Sequence, residues 1–195
     1  MISDEIRGED LELEEQLVLY CIGALNRPLR SELYLQKLLF LVSNVFPELK
    51  DELRFEPHLM GPYSFKVSQI LEDLITDELV EKRKGGYKLT QMGERTFSSL
   101  TLPRELRNVI DEFKDILPNL TRDELLVFFY TLYPDYILES TRWDRLRPKR
   151  KELAASILRK SKVSFSQAAR IAGMNSVSFA DYLKKRGIRI DCQGP

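Results

Sequence analysis

Residues 164–186 hold the side chains of this chain that are best suited to hydrogen bonding with another molecule. Short polar or small apolar groups stand together at the start of a predicted helix: Asn175, Ser176, Val177, Ser178 and Asp181. In the major groove of DNA, an Asn amide can bond adenine at two points, a Ser hydroxyl can bond any base, and Val suits the methyl group of thymine. An Asp carboxylate can accept from the amino group of cytosine. These residue types are therefore those of a base-reading surface.

Groups that suit phosphate rather than bases flank this set. They are cationic or hydrogen-bonding side chains on the preceding helix and at the end of the same helix: Ser166, Gln167, Arg170, Lys184, Lys185 and Arg186. A basic run further upstream can follow a phosphate backbone in the same way and consists of Arg147, Lys149, Arg150 and Lys151. Each of these charges taken singly also fits an ordinary solvated face, so the prediction of nucleic-acid binding depends on the cluster.

The spacing within this segment predicts two helices joined by a short turn. Ser164 and Gln167 form a capping box, in which each side chain satisfies a backbone N–H of the first turn. Gly173 suits the left-handed residue that ends a helix. Phe179 and Tyr182 lie three apart on a second helix, where both can pack on the first. The pattern is that of a helix-turn-helix unit, and a purely structural helical hairpin is the alternative.

The chain has a net charge of zero, but its acidic and basic residues are unevenly distributed along the sequence. Residues 1–141 hold 16 Lys or Arg and 26 Asp or Glu, a net charge of −10. Residues 142–195 hold 14 and 4, a net charge of +10. Such asymmetry predicts a polyanion-binding segment beside a domain of another kind. Alternatively, the two parts neutralise each other within the fold.

Hydrophobic periodicity predicts a mainly α protein with a first domain over 1–141. Its predicted elements are helices at 9–26, 32–46 and 64–77, strands at 79–82 and 87–89 joined at Gly85-Gly86, a helix that begins at Thr90, and further helices over 101–141. Three helices, a two-stranded hairpin and a helix are the order of a winged-helix domain, which 101–141 would extend. Residues 142–195 would form a basic linker, 142–150, and the helix-turn-helix unit, whose first helix spans 149–160.

The predicted hairpin is basic and can touch phosphate as the wing of such a domain, through Lys82, Arg83, Lys84 and Lys88. The third helix of the same domain offers a single base, Lys66, among acidic residues. Neutralisation of phosphate dominates DNA affinity. This charge balance therefore favours dimerisation or protein binding for the first domain over direct DNA contact.

Other classes of protein find little support in the residues. No apolar run approaches the ~20 residues that span a bilayer, and the acidic N-terminal segment lacks the apolar core of a signal peptide. We therefore expect no membrane association and a cytoplasmic protein, with Cys21 and Cys192 as free thiols. One histidine, His58, and two distant cysteines supply no zinc site, and glycine-rich nucleotide-binding patterns are absent. We expect no metal, no cofactor and no enzymatic activity.

Two resemblances to known families add to this interpretation. The segment KVSFSQAARIAGMNSVSFADYLKKRGI resembles a small prokaryotic antitoxin family with a predicted helix-turn-helix, on Ala168, Ala169, Ala172, Gly173, Met174, Phe179 and Arg186-Gly187-Ile188. Residues 34–141 are similar to Panacea-type (SocA-like) antitoxin-associated domains and to archaeal winged-helix proteins, on YLQKLLFLV, HLMGPYSF and DELLVFFYTLYPDY. The tryptophan-rich ending that is usual in the Panacea pattern is missing. Both resemblances imply regulation and partner binding rather than catalysis.

The sequence therefore predicts a DNA-binding regulator whose helix-turn-helix unit reads an operator in double-stranded DNA. A homodimer would address two half-sites about 34 Å apart, or a multiple of that distance. One alternative is an antitoxin that neutralises a protein toxin, with DNA binding secondary or absent. Another is an adaptor whose basic segment binds RNA or an acidic protein without reading sequence.

Overall fold

A computed structural model describes residues 6–25, 27–114, 116–160 and 163–188. The chain is mainly helical, with one two-stranded sheet in its described part. Contacts divide it into two compact units. Unit 1 consists of Met1–His58 and Pro62–Pro118, and unit 2 of Leu59–Gly61 and Asn119–Pro195. Each unit has a buried apolar core of its own.

The helices of unit 1 are, in chain order, α1 (Leu13–Gly23), α2 (Glu32–Val45), α3 (Pro47–Leu53), α4 (Phe65–Thr76), α5 (Gln91–Ser98) and α6 (Arg104–Lys114). Between α4 and α5, strands β1 (Val80–Arg83) and β2 (Gly86–Leu89) form an antiparallel hairpin. Leu29 extends this sheet by an isolated bridge to Tyr87. Gly86 permits the close approach, because its φ is 123° and a Cβ there would lie 2.1 Å from the carbonyl oxygen of Leu29.

Helix α2 lies at the centre of the core of unit 1. All of its residues from Tyr34 to Ser43 are buried, as expected of a helix that is apolar around most of its circumference. Helices α1 and α4 pack on each other, and α2 packs on α1, α3 and α6. Two polar residues of α2, Gln36 and Lys37, are buried with the apolar ones.

Some local predictions for unit 1 are wrong in detail. The predicted helix 9–26 is shorter, because Gly8–Asp10 forms a separate 3₁₀ turn before α1. The sequence interpretation omits α3, which begins at Pro47 because the fixed φ of proline suits the first turn of a helix. In the hairpin only Gly86 has a positive φ, whereas Gly85 does not.

The helices of unit 2 are α7 (Arg122–Leu132), α8 (Trp143–Leu146), α9 (Arg150–Lys160), α10 (Phe165–Ala172) and α11 (Ser176–Lys185), with 3₁₀ turns at Pro134–Ile137 and Arg147–Lys149. Helix α10 packs on α7, α9 and α11, and α7 packs on α9. From α7, Leu125, Leu126 and Phe129 are fully buried. Helix α9 contributes Ala154 and Ile157 to the same core.

The contact division falls at Pro118 and Asn119, whereas the charge pattern predicts a boundary at 141. Helix α7 lies with unit 2 because its apolar side chains pack on α9 and α10. The predicted linker 142–150 is helical, since it forms α8, the turn Arg147–Lys149 and the start of α9. Leu146 of this segment is fully buried. The sequence predicted a linker here because basic residues outnumber the apolar positions that pack within unit 2.

Two further predictions concern the whole chain. No helix among the described residues has the length and apolar character needed to cross a bilayer. Cys21 is a free thiol buried in α1, and burial raises its pKa. Cys192 lies outside the described residues.

Candidate nucleic-acid interface

Local capping determines where the helices α10 and α11, the C-terminal helix pair, begin and end. The predicted capping box is confirmed, because Ser164 Oγ accepts from Gln167 N at 3.2 Å and Gln167 Oε1 accepts from Ser164 N at 3.0 Å. Gly173 ends α10 with a left-handed φ of 71°, as predicted. Met174 N then donates to the Ala169 carbonyl at 3.0 Å, so the turn back into α11 is closed by backbone hydrogen bonds.

The inner face of the helix pair is apolar and closely packed. Ala168 and Ala169 are buried at the crossing, where small side chains let two helices approach. Phe179 and Leu183, one turn apart on α11, are fully buried. The Phe179 ring lies 5.5 Å from the Phe165 ring and stacks on Tyr182 at 6.3 Å, measured between centroids. Burial on this face fixes which side of α11 remains available to a partner.

Arg150 stabilises the turn between the two helices, a role that the sequence interpretation did not assign. Its Nε donates to the Ile171 carbonyl at 2.8 Å and its Nη2 to the Arg170 carbonyl at 3.1 Å, which satisfies the C-terminal end of α10. The guanidinium also lies over the Trp143 ring, 5.3 Å from the centroid. Two of the five N–H donors of Arg150 and one of its faces are thus engaged within unit 2. Its predicted contact with a phosphate backbone stays a prediction.

The side chains predicted to contact nucleic acid lie on the outer face of the pair. All of them are exposed except Ser178, which is half-buried: Ser166, Gln167, Arg170, Asn175, Ser176, Val177, Asp181, Lys184, Lys185 and Arg186. Val177 is 74% exposed, so its apolar side chain is accessible to a partner. The fold thus brings the predicted residues together on one accessible surface.

Asn175 has a structural role that limits the predicted contact with adenine. It is the N-cap of α11, and its Oδ1 accepts from Ser178 N at 2.8 Å. A two-point bond to adenine needs this oxygen as an acceptor together with the amide donor. The cap uses one of the two lone pairs of this oxygen and holds the amide in one orientation. A two-point contact with adenine would have to form in that orientation, and it stays a prediction.

The cations of the helix pair differ in what they contact. Within the described part of the chain, Arg170, Lys184 and Lys185 form no side-chain ion pair. Arg186 lies 3.5 Å from Glu152 and over the Tyr182 ring, 5.5 Å from its centroid. Both partners of that ion pair are largely exposed, so it is worth little in stability. Arg170 and the two lysines are therefore the cations of the helix pair most open to an external phosphate.

The hairpin of unit 1 is arranged differently. Glu81 pairs with Arg83 at 2.8 Å and with Lys88 at 2.9 Å, and these hydrogen bonds hold the pKa of the Glu81 carboxyl below its usual value. Lys82 lies over the Tyr87 ring, 5.3 Å from the centroid. Lys84 alone of the four predicted wing residues forms no ion pair or ring contact with a described residue. Lys66 on α4 is likewise paired, with Glu14 and, at 3.2 Å, with Glu52.

Unit 1 also contains a buried lysine on its central helix α2, which the sequence pattern did not predict. Lys37 is 1% exposed, and its Nζ donates to the Pro62 carbonyl at 2.7 Å. Burial lowers the pKa of Lys37 to about 7. The neighbouring Gln36 donates from Nε2 to the Ser64 carbonyl at 2.9 Å and accepts at Oε1 from Ser64 N at 2.9 Å. These bonds hold the 62–64 segment against α2.

His58, which any histidine-dependent catalysis would require, has an ordinary packed environment. Its ring stacks on that of Tyr63, with 4.7 Å between centroids. Among the described residues, no group of three or more His, Cys, Asp and Glu side chains is placed to hold a metal ion. The predicted binding residues lie together on the helix pair instead, as described above.

The fold and this surface define a mainly helical protein of two units, with an exposed basic helix pair in the second. Residues 130–193 match the model of an uncharacterised protein family, UPF0175, which supports a small C-terminal family domain. No curated protein matches the chain. The family match does not cover residues 34–129, so the similarity of that part to Panacea-type and archaeal winged-helix domains stays a prediction.

Proposed function

We propose that the chain is a DNA-binding transcriptional regulator in which the C-terminal helix pair is a helix-turn-helix motif. One observation carries the proposal: Phe179 and Leu183 of α11 are fully buried, while the opposite face exposes Lys184 and Lys185, which form no ion pair with any described residue. Cations that are not neutralised within the protein can displace counterions from DNA phosphates, which is the main source of affinity.

The motif would bind with α11 in the major groove and α10 across the phosphate backbone. The first turn of α11 then meets base edges through Ser176 and Val177. Lys184 and Lys185, at the far end of the same helix, are placed for phosphates rather than for bases. Arg150 would act as a positioning residue, because it fixes the turn that determines the angle between the two helices.

For unit 1 we propose a winged-helix domain that serves dimerisation. Helices α1, α2 and α4, the hairpin and α5 occur in the order typical of that fold, and Leu29 adds a single-residue bridge to the hairpin at Tyr87. A dimer would present two helix pairs to two half-sites of double-stranded DNA. Direct DNA contact by this domain has less support, because Lys66, Arg83 and Lys88 are paired with carboxylates of their own unit.

The experiment that tests this function is selection of duplexes by the full chain from a random DNA library, followed by competition binding. We expect one recovered sequence to bind more tightly than its scrambled version by a factor of 10³ or more at about 0.15 M salt. Equal binding of both duplexes would overturn the regulator and favour the adaptor that binds polyanions without reading sequence. Absence of binding would favour a protein partner.

The second candidate is an antitoxin that neutralises a protein toxin. The matched family is loosely associated with antitoxin-like proteins. In addition, Phe65 on α4 is 70% exposed beside a helix surface with exposed Glu72 and Asp73. An exposed aromatic residue on an acidic surface suits a basic protein partner with an apolar pocket.

This candidate is tested by co-expression with a protein that stops growth when it is expressed alone and that co-purifies with the chain. We expect the intact chain to restore growth and Phe65→Ala to lose that ability while it still binds the selected duplex. Restored growth with Phe65→Ala would place the toxin contact elsewhere. We propose no catalytic activity for either candidate, and both would act in the cytoplasm, where operators and toxin targets are found.

A further inference from the structure

Val177 is exposed in a way that packing within the chain does not explain. Its side chain is 74% accessible, whereas Phe179 and Leu183 of the same helix are fully buried. Val is also a weaker helix former than Ala, because its branched side chain loses rotamer freedom. Among the described residues, neither packing nor helix propensity therefore favours a valine at position 177.

The direction of the Val177 side chain follows from helix geometry. Successive residues are about 100° apart around the axis, so Val177 lies about 200° from Phe179 and points away from the core of unit 2. Asp181 is one turn further along, on the same side as Val177. Lys184 and Lys185 complete this outer stripe in the last turn of α11. Along α11 this stripe therefore presents an apolar group first, then the acceptor of Asp181 and then two cations.

Asn175 is excluded from this stripe by its own contacts. It lies before the first turn of α11 as the N-cap, and its Oδ1 accepts from Ser178 N at 2.8 Å. The amide of Asn175 is therefore held by the cap, and Val177 is the most exposed apolar side chain of the first turn.

Among the four bases, thymine alone presents an apolar group, the C5 methyl, in the major groove. We infer that Val177 determines specificity by contacting the methyl group of a thymine, and that Asn175 shapes the helix rather than reading adenine. The inference rests on the proposed DNA-binding function. Asp181 agrees with it, because a carboxylate accepts from the amino groups that adenine and cytosine expose in the same groove.

The test uses the duplex that the full chain selects from a random library. Each thymine is replaced in turn by deoxyuridine, which removes the methyl group and keeps the base pair and the O4 acceptor. We expect at least one replacement per half-site to weaken binding of the intact chain about fourfold, as burial of one methyl group predicts. Val177→Ala should bind the methylated and unmethylated duplexes equally. Val45→Ala, at a 49% exposed valine of unit 1, is the matched control and should keep the fourfold difference.

A second variant separates capping from reading at position 175. Asn175→Ser keeps a capping oxygen and should select the same sequence as the intact chain. The inference is overturned if no thymine replacement affects the intact chain, if Val177→Ala keeps the fourfold difference, or if Asn175→Ser changes the selected sequence. In those cases sequence-selective binding still stands and the proposed function survives. If no sequence is selected at all, the proposed function and the inference fail together.

Discussion

The two clusters of cations in this chain differ in their surroundings more than in their number. On the hairpin of unit 1, Arg83 and Lys88 share Glu81 as a partner. On the helix pair of unit 2, Lys184 and Lys185 have no carboxylate partner among the described residues. A count of basic residues treats the two clusters alike. The structure separates them, because only cations without an internal partner add fully to the attraction for phosphate.

The same contrast extends to the interior of each unit. Unit 1 buries a lysine, Lys37, in the middle of its central helix. The helix pair of unit 2 keeps its polar side chains outside and fills its inner face with apolar ones such as Phe179. Because each unit has a buried apolar core of its own, we expect substitutions in the core of unit 2 to leave the stability of unit 1 unchanged.

The largest expected effect comes from removing the centre of the helix pair. Phe179→Ala should destabilise unit 2 by about 3–5 kcal/mol, because it removes a fully buried ring and leaves a cavity. Hydrogen exchange followed segment by segment should show loss of protection in α9, α10 and α11. Phe65→Ala, at the 70% exposed ring of unit 1, is the control and should change stability by about 0.5 kcal/mol or less. Equal loss of protection in both units after Phe179→Ala would contradict their independence.

The buried lysine of unit 1 predicts a dependence of stability on pH. Burial lowers the pKa of Lys37 to about 7, so the folded chain binds fewer protons than the unfolded chain above that pH. The contribution of Lys37 to the free energy of unfolding should therefore rise with pH, by about 2 kcal/mol between pH 7 and pH 9. Cys21 gives a smaller change in the opposite direction, because burial raises the pKa of its thiol. Urea titrations at the two values would measure this rise.

Two substitutions by methionine test that assignment. Lys37→Met keeps an unbranched side chain one atom shorter, without the titrating group, and should remove the rise. Lys66→Met removes an exposed lysine that is paired with Glu14 and Glu52, and it should leave the rise unchanged. Persistence of the rise in Lys37→Met would assign the pH dependence to another group.

The contrast in surface cations predicts an effect on DNA binding. The double variant Lys184→Ala/Lys185→Ala should weaken binding to any duplex about tenfold and reduce the slope of log K against log salt by about 2, one unit for each lost phosphate contact. The matched double variant Arg83→Ala/Lys88→Ala should leave the slope nearly unchanged. A larger change for the hairpin variant would mean that unit 1 is the DNA-binding unit and would reverse the comparison.

The elements of unit 2 that were predicted correctly are those encoded over three or four residues. The capping box of Ser164 and Gln167, the left-handed Gly173 and the inward Phe179 each follow from one helical turn of sequence. Arg150 could not be predicted in its role, because its partners at Arg170 and Ile171 lie twenty residues away along the chain. The ion pairs of the hairpin could not be predicted either, because the pattern of charges along the sequence does not show that Glu81 contacts Arg83 and Lys88.

Two other differences arise from residues that suit more than one role. An asparagine before a serine-rich helix start is equally suited to reading a base and to capping the helix, and only the hydrogen bond to Ser178 shows that Asn175 caps α11. In the basic segment 142–150, arginines with apolar side chains between them look like a solvated linker. The burial of Leu146 and the contact of Trp143 with Arg150 make the segment part of the fold.

The smallest expected effect concerns the turn that joins the two helices of unit 2. Gly173→Ala should destabilise this unit by about 1 kcal/mol, because an L-residue at a φ of 71° brings its Cβ close to the neighbouring carbonyl oxygen. The new methyl group would also lie 3.1 Å from Nη1 of Arg150 and disturb its hold on α10. Gly85→Ala in the hairpin of unit 1 is the control, since no atom lies within 4 Å of a Cβ there and its φ is not positive. Thermal unfolding of both variants measures the difference, and an equal shift for the two glycines would mean that the turn of the helix pair is not the constrained element that its geometry indicates.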